Sequence, residues 1–474
     1  MPDGVWAFRQ SLKRGSADTG WLKLMSAPET LAAEPFGRED GAEAPCLSRA
    51  PVWPVNREPL RRFLKRQLQD VRRGGWVVLV RKIWLRLWGY LLLGPAAIAV
   101  LVVRALRPVV LIRFGWLRSE RLGHFAIDTE LYLCERDAGM QPSNALDVFY
   151  YRAPVCNEQL RRMFDRTLRV RGFARVFDET NRLLPGGEAH QILIRGRDVH
   201  GSRDVEGLLA RFRPHLSFTA EEEAQGRQML RQLGIREGQP VVCVYARDSA
   251  YLEAMDGARD WRYHDFRDSA IGSYLPAMEA LASRGYVAIR MGKIVKEPLR
   301  QANPQVIDYA TSRFRSDFLD IYLAATCRFF LGCPGGLVAI PMVFRRPVAF
   351  VNSIPLANTL AWGRGDLCIV KKLWLKRERR FLTFRETLSS STGRFLQSEQ
   401  YEQAGLEVVD NSPEEIAELA REMDERLKGT WRTTEEDDAL QRRVWSLFTP
   451  NELNQVFNIR IGAAFLRHNQ ELLA

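Results

Sequence analysis

The chain has 474 residues, of which 46% are hydrophobic, and a formal net charge of +12. A chain of this length exceeds what one hydrophobic core supports and predicts two or three domains. Residues 57–113 contain thirteen Arg or Lys against two acidic residues and therefore carry almost all of the net charge. The rest of the chain is close to neutral, which argues against a protein that binds nucleic acid through its whole surface.

The seven cysteines are widely spaced and contain no CxxC pair; they lie at positions 46, 134, 156, 243, 327, 333 and 368. This spacing excludes the common zinc motifs and predicts free thiols in a reducing cytoplasm. The beginning of the chain contains no long apolar run, so we expect no secretory signal. Residues 1–56 mix Ala, Pro, Gly, Ser and Glu without periodicity, which predicts a disordered tail.

Residues 57–108 combine basic and apolar character. Apolar side chains recur at helical spacing from Leu60 to Val71, with Arg and Lys between them, as is typical of an amphipathic helix at a membrane surface. Residues 87–103 then form an uncharged run of 17 residues, interrupted by Pro95 and flanked by basic residues on both sides. A single span normally shows this bias on one side only. We therefore expect monotopic or re-entrant attachment to the anionic cytoplasmic face of the inner membrane; the alternative is a buried helix under a basic surface.

The next segment, 109–220, predicts an N-terminal Rossmann-like domain. β-Branched or apolar runs predict strands, and apolar residues at helical spacing predict helices between them. The strands are expected at 109–112, 146–151 and 191–194, and the helices at 121–137 and 157–170.

A second β–α series follows and predicts a C-terminal Rossmann-like domain over 221–410, with further helices over 411–474. A helix at 221–233 has acidic residues in its first turn and ends at Gly234, and another helix begins at Pro413. The other predicted elements are strands at 240–245, 286–290, 327–331 and 347–352 and helices at 273–284 and 314–325. The expected fold class is α/β, with two doubly wound domains facing a cleft and an N-terminal membrane-associating helical segment.

Polar residues follow the strands of this second series. In open α/β sheets the ligand lies beyond the carboxyl ends of the strands. Two arginines, a glycine turn and an asparagine at that edge predict a ligand with phosphates; the residues are Arg247, Asp248, Ser249, Arg290, Gly335, Gly336 and Asn352. In the turn GCPGG at 332–336, glycines would let backbone amides approach a phosphate, and a helix at 337–344 would direct its positive end toward it. The alternative is a tight connection without a ligand, because the spacing is neither that of a P-loop nor GxGxxG.

Several long motifs resemble a bacterial family of glycosyltransferase-type proteins associated with surface-polysaccharide synthesis. Its N-terminal signature resembles RFGWLRSERLGHFAIDTELYLCERD at 113–137. The other motifs are VVCVYARDSAYL at 241–252, HDFRDSAIGSYLPAMEALASRGYVAIRMG at 264–292, DYATSRFRSDFLDIYLAATCRFFLGCPGG at 308–336 and PVAFVNSIPL at 347–356. The resemblance implies a GT-B fold, in which the N-terminal domain binds an acceptor and the C-terminal domain a nucleotide-sugar donor.

Two departures from related motifs stand out. YARDS resembles the His-x-Arg loop with which some fucosyltransferases hold a donor diphosphate, but Tyr245 replaces the histidine. The resembling family has a glycine turn richer in serine, whereas this chain has Cys333-Pro334-Gly335. These departures argue against a fucose donor and leave phosphate binding to backbone amides.

The expected reaction is metal-independent glycosyl transfer, with the nucleotide sugar as co-substrate and no other cofactor. No Asp-x-Asp metal motif follows a strand, so Arg247, the Gly335 and Gly336 amides and either Lys371 or Lys372 would stabilise the leaving diphosphate. Asp317 and Asp320 lie three residues apart on one helical face and could bind a ribose or sugar, although surface solvation is the expectation for such residues.

The acceptor side is predicted to lie just after the first strand. His124 is a natural general base there, with Asp128 and Glu130 as alternatives, against the simpler interpretation of a histidine bound to a loop carbonyl. Arg118 and Arg121 would hold a phosphate or acidic sugar of a glycan or polyprenyl-phosphate-linked acceptor. A sugar-nucleotide epimerase of the same fold and a non-catalytic membrane scaffold remain open as alternatives, whereas nucleic acid is not an expected partner.

Overall fold

A computed structural model describes residues 94–152, 154–193, 203–255, 260–360, 362–449 and 457–474, together with positions 76 and 80. The predicted tail at 1–56 and the amphipathic part of the basic segment lie outside the described residues. By contact density the chain divides into two compact units. One contains the described residues up to Ala105 together with Glu179–Pro185, and the other contains Leu106–Asp178 and Gly186–Ala474.

The smaller unit contains a helical segment at 94–105 with two different faces. Ala96 and Val100 are buried, whereas Ile98, Leu101 and Val102 are 66%, 54% and 55% exposed. Arg104 is one of the basic residues that flank the uncharged run and were expected to face the membrane. Its guanidinium instead donates to backbone carbonyls at residues 181, 184 and 185 within this unit. No helix among the described residues is both long and apolar enough to cross a bilayer.

The larger unit begins with a small parallel sheet. Strand β1 (Leu111–Leu117) pairs in parallel with β2 (Ala145–Tyr151), and helix α1 (Leu122–Asp137) connects them. Single parallel bridges add Gln191 beside β1 and Val170 beside β2. The first strand begins later and runs longer than predicted, because Phe114 and Leu117 are buried core residues. Helix α2 (Glu158–Thr167) and helix α3 (Ala174–Leu183) follow β2.

The second sheet has seven parallel strands in the spatial order β12-β8-β7-β6-β3-β4-β5. Four of its strands, β3, β4, β6 and β7, were predicted and are buried throughout or nearly so, as expected when helices cover both faces; β5, β8 and β12 were not predicted. The strands are β3 (Val241–Tyr245), β4 (Val287–Arg290), β5 (Val306–Asp308), β6 (Phe329–Gly332), β7 (Val348–Ser353), β8 (Leu367–Val370) and β12 (Arg460–Ile461). The described residues therefore form a mixed α/β protein with a parallel sheet.

The helices of this sheet begin at polar caps. Thr219 and Glu222 form a capping box at α4 (Ala220–Gln232), and Ser316 caps α7 (Asp317–Thr326) three residues later than predicted. Ser412 and Glu415 form the capping box of α11 (Pro413–Lys428), which has the predicted proline at its first position. The remaining helices before the carboxyl-terminal region are α5 (Ala250–Met255), α6 (Leu275–Ser283) and α8 (Ala339–Val343).

The region after β8 contains structure that the sequence patterns did not indicate. A small antiparallel sheet has the order β10-β9-β11, formed by β10 (Arg380–Phe381), β9 (Lys372–Leu375) and β11 (Leu406–Val409). β12 pairs with β8, so segment 411–474 contributes a strand to the main sheet in addition to its helices. The helices are α9 (Phe384–Ser389), α10 (Ser398–Gln403), α12 (Glu435–Trp445) and α13 (Ala463–His468).

The glycine turn after β6 is tightly packed. A Cβ on Gly332 would lie 2.7 Å from the carbonyl oxygen of Tyr245 on the neighbouring strand. A Cβ on Gly335 would lie 2.9 Å from the Tyr245 ring, and one on Gly336 would lie 3.3 Å from the backbone nitrogen of Gly123 at the start of α1. Each glycine thus permits a close approach that a side chain would block.

The helix that follows this turn is shorter than predicted. α8 has five residues, and its N-cap is Val338. So short a helix begins beyond the glycines and therefore does not direct a helix dipole toward a phosphate bound at the turn, contrary to the prediction.

Candidate functional site

A cavity of about 520 Å³ lies at the carboxyl ends of both parallel sheets, within the larger unit. Six connections contribute to its wall: the loops after β1, β2, β3, β4, β6 and β7. This is the edge at which open α/β sheets bind ligands. Cations reach the wall from both halves of the chain; they are Arg121, Arg203, Arg247, Arg267 and Lys293.

Arg247 follows β3 directly and is held in place by its neighbours. Its Nη1 forms an ion pair with Asp268 and donates to the His264 carbonyl at 3.3 Å. Its backbone N–H donates to the Cys333 Sγ at 3.0 Å, which ties the end of β3 to the glycine turn. No bond from Nε or Nη2 to a described residue is present, so this edge of the guanidinium retains free donors.

Arg267 is a second cation at the same place, and the sequence patterns missed it. Its Nη2 donates to the Pro334 carbonyl at 3.3 Å, and it pairs with no carboxylate in the part of the chain that the structure describes. Burial, followed by repulsion from Arg247, lowers the pKa of Arg267 to about 10. Of these two adjacent arginines only Arg247 has a carboxylate partner among the described residues, Asp268, so excess positive charge is left that an anion would neutralise.

The glycine turn forms the wall beside these arginines. Residues 334–339 and Tyr245 line the cavity there. Burial, followed by nearby Cys333, raises the pKa of the Tyr245 hydroxyl, so this tyrosine remains a neutral donor. Trp261 and His264 contribute aromatic surface nearby, and the His264 ring lies 4.0 Å from that of Tyr263.

Asp248 is also on the wall, but backbone donors occupy its carboxylate. Its two oxygens accept from the amides of Ala250 and Lys296, both at 3.0 Å. Asp248 therefore fixes the start of α5 and the loop after β4. Ser249, its neighbour, is not among the residues that line the cavity.

His124 also lines the cavity, in the first turn of α1, whose Gly123 packs against Gly336 of the glycine turn. Its Nδ1 is 3.4 Å from Asp128 Oδ1, one helical turn away, and 3.3 Å from Arg118 Nη1. Arginine can only donate, so Nδ1 accepts from Arg118 in one tautomer and donates to Asp128 in the other. In the second tautomer Nε2 has a free lone pair and is able to take a proton. Asp128 is 1% exposed and is placed to orient His124 without touching a ligand.

Two predicted ligand residues at strand ends are buried in the protein instead. Arg290 is 2% exposed, donates to the Glu297 carbonyl at 2.6 Å and pairs with Asp308. Asn352 is 1% exposed and exchanges hydrogen bonds with Asn411, whose side-chain oxygen accepts from the Asn352 amide at 2.6 Å. Neither residue lines the cavity. Both hold the sheet edge together.

The lysines suggested for the leaving group also lie elsewhere. Lys371 pairs with Asp410 at 2.7 Å and donates to the Asp268 carbonyl, so it supports the partner of Arg247. Lys372 pairs with Glu415 at 2.8 Å. Neither residue lines the cavity.

Asp317 and Asp320 have structural partners and are not the solvated surface pair that was expected, because Asp320 is 6% exposed. Asp317 accepts from the Glu158 amide at the start of α2 and pairs with Lys293. Asp320 accepts from the Tyr309 hydroxyl and pairs with Arg315 at 2.7 Å. The two carboxylates therefore join elements of the fold.

Glu130, suggested as an alternative base, lies in a separate buried cluster. It is fully buried, accepts from Arg345 at 2.7 Å and contacts His215 Nδ1 at 3.1 Å. Burial lowers the pKa of His215, but hydrogen bonds to Cys134, Glu130 and Asp137 outweigh it and raise the pKa to about 10. Glu130, Cys134 and His215 have metal-ligand spacing, yet the Arg345 guanidinium and the His215 imidazole already contact Oε1 of the Glu130 carboxylate and supply positive charge there. This cluster is an ion-pair network and does not suit a metal.

Comparisons with known proteins give limited information. No family model matches the chain, and no curated protein matches it. A glycosyl transferase family 9 structure from Veillonella parvula has a TM-score of 0.32 and 9% identity, over 50% of this chain and 79% of that one. The E. coli ADP-heptose lps heptosyltransferase II structure has a TM-score of 0.31 and 10% identity, over 51% and 86%. Scores this low carry no weight for fold or activity, so the functional argument depends on the site.

Proposed function

We propose that this protein transfers a glycosyl group from a nucleotide-sugar donor to a saccharide acceptor, without a metal ion. The observation that carries the proposal is the pair Arg247 and Arg267 at the edge of the main sheet, of which only Arg247 has a carboxylate partner among the described residues. A nucleoside diphosphate supplies the missing negative charge. His124 supplies a proton acceptor within the same cavity.

The chemistry follows from the charge that develops during transfer. As the bond between the sugar and the diphosphate breaks, negative charge grows on the leaving phosphate and positive charge on the sugar ring. Free donors of Arg247 and Arg267 stabilise the leaving phosphate, with the amides of Gly335 and Gly336 beside them. The aromatic residues Trp261 and His264 offer a surface against which a nucleobase stacks. His124, oriented by Asp128, takes the proton from the acceptor hydroxyl.

The acceptor that we propose is a saccharide linked to a polyprenyl phosphate. Arg121 is exposed on the cavity wall, and its side chain has no ion pair with the described residues. It is therefore available to a phosphate of the acceptor. Arg118 contacts His124 and lies 5.7 Å from the centre of the Trp116 ring, so its role is to position His124.

The donor site is tested by titrating the purified chain with UDP-, GDP-, CMP- and dTDP-sugars by calorimetry, with detergent present. We expect saturable binding of one nucleotide class. Arg247→Ala should weaken that binding about 10- to 100-fold, since a charge-assisted hydrogen bond contributes about 1.5–3 kcal/mol. Absence of binding to every donor by folded protein would favour the scaffold alternative. Conversion of the donor without an acceptor would favour the epimerase.

We also propose that the 94–105 segment lies on an anionic membrane surface. Its exposed apolar face, Ile98, Leu101 and Val102, has the spacing of an interfacial helix and continues a strongly basic segment. A helix covered by protein would not expose this face, which argues against the buried-helix alternative.

Vesicle sedimentation tests this attachment. The chain should pellet with phosphatidylcholine vesicles that contain phosphatidylglycerol, and the double variant Ile98→Asp/Leu101→Asp should reduce the bound fraction about tenfold or more, because each change removes a buried apolar group and adds a repelled charge. Leu193→Asp is the matched control, as it changes an equally exposed leucine outside this face. Equal loss in both variants, or no loss in the double variant, would contradict the proposal.

A further inference from the structure

Glu120 is a carboxylate on the cavity wall that the protein leaves without a partner. It lies in the loop between β1 and α1, four residues before His124, and lines the same cavity. Its Oε2 is shielded from solvent and accepts no hydrogen bond. The side chain forms no ion pair either, as far as the structure describes the chain.

The other acids on this wall differ from Glu120. Asp248 accepts from two backbone amides, and Asp320 accepts from Tyr309 and pairs with Arg315. Buried carboxylates in proteins are normally paired or hydrogen-bonded, because a shielded charge without donors is costly. Glu120 is therefore the wall carboxylate that has an oxygen available to hydrogen-bond donors of a ligand.

We propose that Glu120 binds the acceptor by accepting hydrogen bonds from two adjacent hydroxyls of its sugar, neither of which is the nucleophile, whose proton goes to His124. This inference rests on the proposed transfer reaction and specifies its acceptor as a vicinal diol. A carboxylate has two oxygens and only accepts, which matches a pair of neighbouring hydroxyl donors. An anionic group at this position also disfavours a phosphate as the nucleophile and leaves acceptor phosphates to Arg121.

The first test uses thermal unfolding and needs no ligand. Glu120→Gln should raise the melting temperature of the free protein by a few degrees, because an amide costs less to shield from water than a carboxylate. Asp320→Asn is the matched control for loss of a wall carboxylate; it should lower the melting temperature, because it weakens the contacts to Arg315 and Tyr309. A melting temperature of Glu120→Gln at or below that of the parent would show that the fold itself uses this carboxylate, and would overturn the proposal.

The second test uses small acceptors with the donor that binds. Glycerol carries a vicinal diol and 1-propanol does not, so the parent protein should transfer more sugar to glycerol than to 1-propanol at equal concentration. Glu120→Gln should lower the ratio of transfer to glycerol over transfer to 1-propanol at least tenfold, while the affinity for the nucleotide changes less than twofold. Retention of the preference would refute the role of Glu120. If the parent protein bound no donor, the proposed function would fail, whereas the thermal test would still decide whether Glu120 is left unpaired by the fold.

Discussion

Glu130→Gln is expected to lower the free energy of unfolding by about 3–5 kcal/mol. Glu130 is fully buried and is the carboxylate between Arg345 and His215. Its neutralisation leaves Arg345 and His215 with less negative charge to balance them. This costs more free energy than the intact ion pairs contribute. Denaturant unfolding followed by circular dichroism measures the loss. Glu279→Gln, at an exposed position on α6, is the control and should change the free energy by less than about 0.5 kcal/mol.

The same network predicts a pH dependence. The pKa of His215 is raised in the folded state, so its contribution to stability is complete below the ordinary histidine pKa and is lost as the pH rises toward about 10. The free energy of unfolding of the parent protein should therefore fall between about pH 7 and 10. Glu130→Gln should show a shallower fall, because the main anionic partner of His215 is absent. An unchanged slope in the variant would contradict the assignment of this network.

Arg267→Ala is expected to weaken binding of the nucleoside diphosphate about 10- to 100-fold, as much as the loss of Arg247 does. Arg267 has no carboxylate partner among the described residues, and burial together with Arg247 already lowers its pKa. A bound diphosphate offsets the repulsion between the two arginines, so the charged forms of both side chains are stabilised most when the anion is present. Calorimetric titration with the nucleotide identified for the parent protein measures the effect.

The control for Arg267 lies five residues earlier. Arg262 is also an arginine, but its side chain is 83% exposed and pairs with Asp260. Arg262→Ala should leave the nucleotide affinity within about twofold. Equal losses in both variants would indicate that general positive charge attracts the nucleotide. No loss in Arg267→Ala would remove this residue from the site.

Sequence patterns predicted four strands of the main sheet, β3, β4, β6 and β7, because buried parallel strands are continuous apolar runs between glycine and proline signals; β5 and β8 were not predicted. β12 was not predicted, because a strand of two residues has no periodicity and its place beside β8 depends on tertiary packing. β9 and β10 were not predicted either, because their residues mix lysine and arginine with aromatic residues. Strand ends alone also did not distinguish a side chain in the cavity from one buried behind it: Arg247 faces the cavity, whereas Arg290 is enclosed by Glu297 and Asp308.

The residues that the sequence analysis missed are distant along the chain from the strand ends. Arg267 comes 22 residues after the end of β3, and only tertiary structure brings it to the Pro334 carbonyl. Glu120 lies between Arg118 and Arg121 in the sequence, but the sequence alone does not show that its Oε2 accepts no hydrogen bond. The glycine turn was predicted to let backbone amides approach a phosphate, whereas the close approaches in the fold are to Tyr245 and Gly123.

The central claim is that the cavity binds a nucleoside diphosphate without a metal. The most direct measurement is calorimetric titration of the parent protein with UDP, GDP, CDP and dTDP in the presence of EDTA, repeated after exchange into magnesium. We predict one-to-one saturable binding of at least one nucleotide in EDTA, with the affinity unchanged by magnesium within about threefold, because arginines supply the positive charge. Binding that requires magnesium, or no binding to a folded protein under either condition, would contradict the claim.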